Sequence, residues 1–293
     1  MKLSAWVDHH MKWILFAPAV LVMLVVFVYP LLSAVNLSLH DWSFFTIDNP
    51  PFVWFQNYTR AFRDRDLWSA LGKTAIFVAT GLTLQFVIGM ALAMGVDRVS
   101  RGSGLLTTLL VMPMMVTPVV VGLAWKFILD YSFGIFNYAR SLVHLQAIAP
   151  LASSKLALLT VILVDTWQWT PFLFLVLLAG LRSLPTEPYE AALVDGATPW
   201  QTFVKLTLPL LKPVVIVALV MRGAGAVKVF DHIFVLTGGG PGTATEVVSL
   251  QLYRKAFQSF EMGYASAVAL VLTLIVALLS WYAMQTLYAD NDM

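Results

Sequence analysis

The chain has 293 residues, of which 59% are hydrophobic and 12% charged, with a formal net charge of +2. Soluble globular domains carry about 25% charged residues, so water is not the main solvent here. The basic residues are few and scattered, which sets nucleic acid aside as a partner. Cysteine is absent, which excludes disulfides, thiolate catalysis and cysteine metal sites.

Apolar windows recur along the whole chain at 13–35, 70–96, 105–125, 156–180, 213–236 and 264–287, each long enough to cross a hydrocarbon core of about 30 Å. The expected fold is an all-α membrane protein of six transmembrane helices, with residues 1–293 forming a single transmembrane domain. The first window runs about 23 residues, longer than the 7–15 of a signal-peptide core, and is read as an uncleaved first helix. Polar segments separate the spans: 36–69 with Asp41, Asn49-Pro50-Pro51 and Arg63-Asp64-Arg65-Asp66, a short 97–104, then 126–155, 181–212 and a glycine-rich 237–263.

Orientation follows Lys and Arg near the first spans. Lys2 and Lys12 precede the first, no Lys or Arg follows it until Arg60, and 97–104 adds Arg98 and Arg101. The termini, 97–104 and 181–212 are therefore placed in the cytoplasm. Pro113, Pro118, Gly122, Pro171, Gly223 and Gly225 lie within spans, where they permit kinks and close packing. Trp6, Trp13, Trp42, Trp54 and Tyr288 are read as interface anchors or loop packing.

The segment 184–210 differs in kind from the other connections. Thr186 or Glu187 can start a short helix, Pro188 suits its opening turn, and Gly196 ends it at a left-handed cap. Thr198 can cap a second helix with Pro199 at its first position, and Pro209 is expected to stop that helix before the next span begins at Pro213. Ala191 and Ala192 leave a nearly flat face on the first helix, and Glu190 beside it offers a carboxylate to a basic partner.

Glu190-Ala191-Ala192, Gly196 and, after nine residues, Leu206-Thr207-Leu208-Pro209 resemble the EAA loop of the membrane subunits of binding-protein-dependent ABC importers. The only departure is Leu206 where the family pattern has Ile, a swap that keeps volume. Phe230-Asp231 and Thr237-Gly238-Gly239-Gly240-Pro241-Gly242 resemble features of the carbohydrate-importing branch. The resemblance implies a type I ABC importer transmembrane domain with a cytoplasmic EAA coupling helix, in a bacterial plasma (inner) membrane. It implies as partners two ATPase subunits, a second permease subunit, an external solute-binding protein, membrane lipid and a small sugar-like solute.

By the same resemblance Glu190, Ala191, Ala192, Gly196, Trp200, Phe203, Leu208 and Pro209 form the ATPase-coupling surface, with interfacial anchoring as the alternative for Trp200 and Phe203. The chain has no phosphate-loop motif, no metal-ligand spacing among His9, His10, His40, His144 and His232, and no nucleophile triad by motif. It is therefore expected not to be an enzyme and to bind no cofactor itself, ATP and Mg being held by the partner ATPase.

Two ionisable residues fall near the membrane midplane, Asp165 in the fourth window and Arg222 in the fifth, each roughly 13 Å deep at about 1.5 Å per residue. Asp165, Gln168, Trp169 and Phe172 share one helical stripe, pairing polar groups with an aromatic face as a sugar site requires. The family resemblance adds Arg222, Ala226 and Val229 to this substrate path. A structural Asp165–Arg222 ion pair is an equal reading of the two charges. Lys228 and Asp231 are expected to form a local salt bridge. The alternative function is an ion-coupled secondary transporter using Asp165, which leaves the EAA loop unexplained; a membrane-embedded enzyme lacks a catalytic cluster near an interface.

Overall fold

The computed structural model describes residues 2–43, 46, 48–99 and 101–289, with side chains described for 11, 13, 15–43, 46, 48–99 and 101–285. The side chains of Lys2, Trp6, His9, His10, Lys12 and Tyr288 lie outside that set. Fourteen α-helices and no strands occur among the described residues. Five helices are long and apolar enough to cross a membrane, and a sixth crossing is made if one sharply bent pair counts as a span.

The chain divides into two compact units, Met1–Asp64 with Leu252–Ile275, and Arg65–Gln251 with Val276–Met293. In the first, α1 (Lys2–Met23) passes through a π-helical turn, Leu24–Val28, into α2 (Tyr29–Ser38). The apolar stretch is Leu15–Ser38, and no residue of its spanning window is buried within the chain. The wide turn lies just before Pro30, whose ring would otherwise crowd the carbonyl four residues back.

The polar connection 36–69 contains a helix, α3 (Gln56–Arg63). Its Asn57 amide donates to the carbonyls of Ser38 (2.9 Å) and His40 (3.0 Å), pinning the chain where α2 ends. Arg60 pairs with Glu261 at 2.8 Å, and the Tyr264 hydroxyl donates to Asp64 at 2.7 Å. Trp54, read as an anchor, is exposed, and Trp42 is half-buried.

The second unit is built around α8 (Ala157–Arg182), whose spanning window is the most deeply buried in the chain. It packs along α4 (Arg65–Asp97), and Met90, Ala93, Leu173, Phe174, Leu177 and Leu211 form the shared core. The approach depends on Gly89, where a Cβ would meet the Phe174 backbone nitrogen at 3.1 Å. Small residues at such crossings replace the hydrophobic drive that is missing in lipid.

The third expected span, 105–125, is not a straight helix. It consists of α5 (Ser103–Met115) and α6 (Pro118–Ile128), bent by 91° at Val116–Thr117. Both break residues are extended. Thr117 is driven there by the clash a proline imposes on the residue before it, and Pro118 then opens the new helix because it needs no N–H partner there. The short helix α7 (Ile135–Leu142) follows in the connection to α8.

After α8 come α9 (Glu187–Val194), α10 (Pro199–Thr202), a π-helical turn over Phe203–Thr207 and α11 (Leu208–Val227). Two expectations are corrected here. Pro209 does not stop the helix: Pro199–Val227 runs as one apolar stretch, because the π turn, closed by Leu208 N–H to the Phe203 carbonyl, removes the proline clash. The window 213–236 is also not one span, since α11 ends at Val227 and α12 (Asp231–Leu236) is separate. The chain closes with α13 (Val248–Tyr253) and α14 (Met262–Ala289).

Candidate functional site

Asp165 on α8 and Arg222 on α11 meet directly: the Arg222 guanidinium donates through Nη2 to Asp165 Oδ2. Gln85 on α4 completes a triangle, accepting from Arg222 Nε at 2.9 Å and donating to the same carboxylate oxygen at 2.9 Å. All three are buried. A buried charge is tolerated when paired and hydrogen-bonded, and here one amide satisfies what the ion pair leaves open.

The cluster extends to the broken span. Gln168 donates through Nε2 to the Val116 carbonyl at 2.7 Å, the acceptor left open where α5 ends. That leaves its Oε1 to accept from His232 Nε2, at 2.6 Å, which fixes Nε2 as the protonated ring nitrogen. His232 Nδ1 lies 3.5 Å from Asp165 Oδ1. Two sets of polar contacts that share α8 thus tie it to α4 and α11 on one hand and to the end of α5 and α12 on the other.

Beside the cluster opens a cavity of about 350 Å3. Asp165, Trp169, Phe172, Arg222 and Val229 of the expected substrate path line it. Gln168 and Ala226 do not: Gln168 is engaged by Val116 and His232, and Ala226 is buried in the packing. The Arg222 guanidinium lies 5.2 Å from the centroid of Trp169, within cation–π range.

Residues that sequence reasoning did not assign to the path also line the wall: Pro118, Lys228, Phe230, Asp231 and His232. The expected Lys228–Asp231 salt bridge is absent among the described ion pairs. The end of α11 at Val227 separates the two residues that a continuous helix would have stacked. Each charge instead sits at a helix end that suits it, Lys228 capping the C-terminus of α11 and Asp231 opening α12. Gln85 carried no sequence signal beyond being a polar residue inside an apolar window.

The helix-glycine-helix segment has the geometry its residues imply. Gly196 adopts φ +72°, and the N–H groups of Gly196 and Ala197 bond to the carbonyls of Leu193 (3.2 Å) and Ala192 (2.9 Å), a Schellman closure of α9. Thr198 and Gln201 form a reciprocal capping box with Pro199 in the first turn of α10. Glu190, Ala191, Trp200 and Pro209 are exposed, Ala192 is half-buried, and Phe203 and Leu208 pack inward against the core of α4, α8 and α11. The largest apolar exposure was not anticipated: Leu193 and Val194 at the end of α9 are 79% and 87% accessible.

A polytopic helical chain that holds a neutralised polar cluster beside an open cavity fits the class of membrane transport proteins. Residues 85–290 match the family of inner membrane components of binding-protein-dependent transport systems, and the chain belongs to that family. It is 36% identical over 267 residues to the trehalose/maltose transport system permease protein MalF of Thermococcus litoralis, covering 91% of this chain and 89% of that one. It is 34% identical over 278 residues to the trehalose transport system permease protein SugA of Mycobacterium tuberculosis, covering 95% and 89%. The fold matches a chain of a bacterial ABC transporter involved in import of the acidic polysaccharide alginate, with a TM-score of 0.81, 24% identity and 98% of each chain covered. The resemblance drawn from the EAA and Phe-Asp motifs is therefore met at the level of family and fold.

Proposed function

We propose that this chain is the membrane-spanning subunit of an ATP-driven importer that conducts a sugar, a trehalose- or maltose-like disaccharide, delivered by an external binding protein. The observation that carries this reading is the cavity wall, where Trp169, Phe172 and Phe230 supply aromatic faces and Lys228 and Asp231 supply a donor and an acceptor. Aromatic planes pack on the C–H face of a sugar ring while flanking polar groups bind its hydroxyls. The names of the relatives in Thermococcus litoralis and Mycobacterium tuberculosis support the same solute class.

Residues 1–293 act as one permease domain with 184–210 as its coupling segment. Glu190, Leu193, Val194 and Trp200 form the surface on which an ATPase subunit seats, and ATP with Mg is bound and hydrolysed there. The termini and this segment face the cytoplasm of a bacterial inner membrane. A second permease completes the pathway; the first span, whose apolar window has no residue buried within its own chain, supports a surface that meets lipid or that partner. Asp165, on which an ion-coupled mechanism would rest, is already held by Arg222 and Gln85.

Uptake of radiolabelled trehalose and maltose into proteoliposomes holding the assembled complex tests the proposal. The expected result is accumulation that needs internal ATP and the binding protein. Uptake that persists without ATP and follows an imposed ion gradient would overturn it.

A further inference from the structure

Helix α7 (Ile135–Leu142) inverts the polarity of an ordinary surface helix. Its outward face carries Ile135, Tyr138 and Leu142, which are 64%, 63% and 64% accessible, while Asn137 is buried on the opposite side. Surface helices in water show the reverse arrangement. The exposed row continues into Phe133 and Val143.

The segment is a built element. The Asn137 amide donates to the carbonyl of Ile148 at 2.9 Å and accepts from its N–H at 3.0 Å, closing the connection like a strand pair. Arg140 Nε donates to the Gln146 carbonyl at 2.9 Å, so the one cation of the helix is turned into the loop. An apolar face held this rigidly needs a cover.

The cover follows from continuity with the exposed apolar face of the bent span. Phe133 contacts the Phe127 ring, with centroids 6.4 Å apart. Phe127 lies on the exposed face of α6 with Val120 and Leu123, in the half of the bent span that ends at Ile128. The other end of the connection enters α8 at Ala157, so both ends are tethered to apolar spans. The exposed row has no charged residue, and Tyr138 carries the amphipathic ring that favours the headgroup level.

We infer that α7 is an interfacial helix that lies in the membrane plane with Ile135, Tyr138 and Leu142 in lipid, roughly 5–10 Å into the headgroup–acyl boundary. Pro118, at the other end of α6, lines the cavity. The lipid contact therefore anchors the outer end of the helix whose inner end forms part of the cavity wall. The inference rests on the chain spanning a membrane and is independent of the solute.

The cysteine-free sequence permits a direct test. Nitroxide labels at I135C, Y138C and L142C are placed one at a time in the full complex, in nanodiscs of phosphatidylethanolamine and phosphatidylglycerol, with V120C as lipid reference and S141C as polar-side reference. Collision rates with oxygen and with a water-soluble nickel chelate are compared. The expected oxygen-to-nickel ratio at 135, 138 and 142 is several-fold above that at 141 and close to that at 120. Nickel access at Leu142 equal to that at Ser141 would overturn the inference in favour of a water-facing helix. Suppression of both collision rates would overturn it in favour of a second protein chain. The three positions are read independently, so one perturbing label does not decide the result.

Discussion

Arg222 points its guanidinium into Asp165 and Gln85 and lies 5.2 Å from the centroid of Trp169, beside it on the cavity wall. The two buried charges thus neutralise each other across α8 and α11, and with Gln85 they join three helices. Removing either partner leaves an uncompensated buried charge, at a cost of about 3–5 kcal/mol. Asp165→Ala and Arg222→Ala are each expected to lower the melting temperature of the purified complex and abolish uptake. The exchanged pair Asp165→Arg with Arg222→Asp should recover much of the melting temperature. Failure to recover, with both single variants folded, would indicate that one of the charges has another partner.

Lys228 and Asp231 are the charged residues on the cavity wall that form no ion pair with one another among the described contacts. Lys228→Gln and Asp231→Asn are expected to reduce sugar uptake about tenfold, a change of about 1.4 kcal/mol in transition-state terms. ATP hydrolysis stimulated by the loaded binding protein should persist in both. Parallel measurement of uptake and hydrolysis checks this, and equal loss of the two would point to a structural role.

Glu190, Leu193 and Val194 are exposed on one short helix, where docking of a partner would bury them. Leu193→Asp and Glu190→Lys are expected to weaken recovery of the ATPase subunit in affinity pull-down from gently solubilised membranes. Phe203→Ala acts differently, because Phe203 packs into the permease core: it should lower the melting temperature while retaining the ATPase in proportion to folded protein.

Gly196 has φ +72° and nothing within 4 Å of the place a Cβ would occupy. Substitution there is costly through backbone conformation and not through collision. Gly196→Ala is expected to destabilise by about 1–2 kcal/mol and Gly196→Asn by less, since asparagine visits the left-handed region more readily. Thermal unfolding of the complex reads the difference, and equal effects would argue against a backbone origin.

Much of this protein was legible from sequence because its determinants are local. Apolar length announces a span whatever its neighbours are, and the end of α9 at Gly196 and the start of α10 at Thr198 follow from cap chemistry within a few residues. The motif Glu190-Ala191-Ala192 with Gly196 and Leu208-Pro209 carried the family for the same reason. Tertiary structure decided what depends on partners distant in the chain. Val116–Thr117 could bend by 91° because Gln168, 52 residues away, supplies the open carbonyl with a donor. Pro209 failed to end its helix because a π turn absorbed the clash, a choice no single-residue propensity encodes. Asp165 could have met a solute or Arg222, and only the packing of α4 against α8 and α11, which brings Gln85 to both, shows that the two charges pair. Apolar length is written in the sequence, whereas the face a buried charge presents is set by helix rotation, which the whole core determines together.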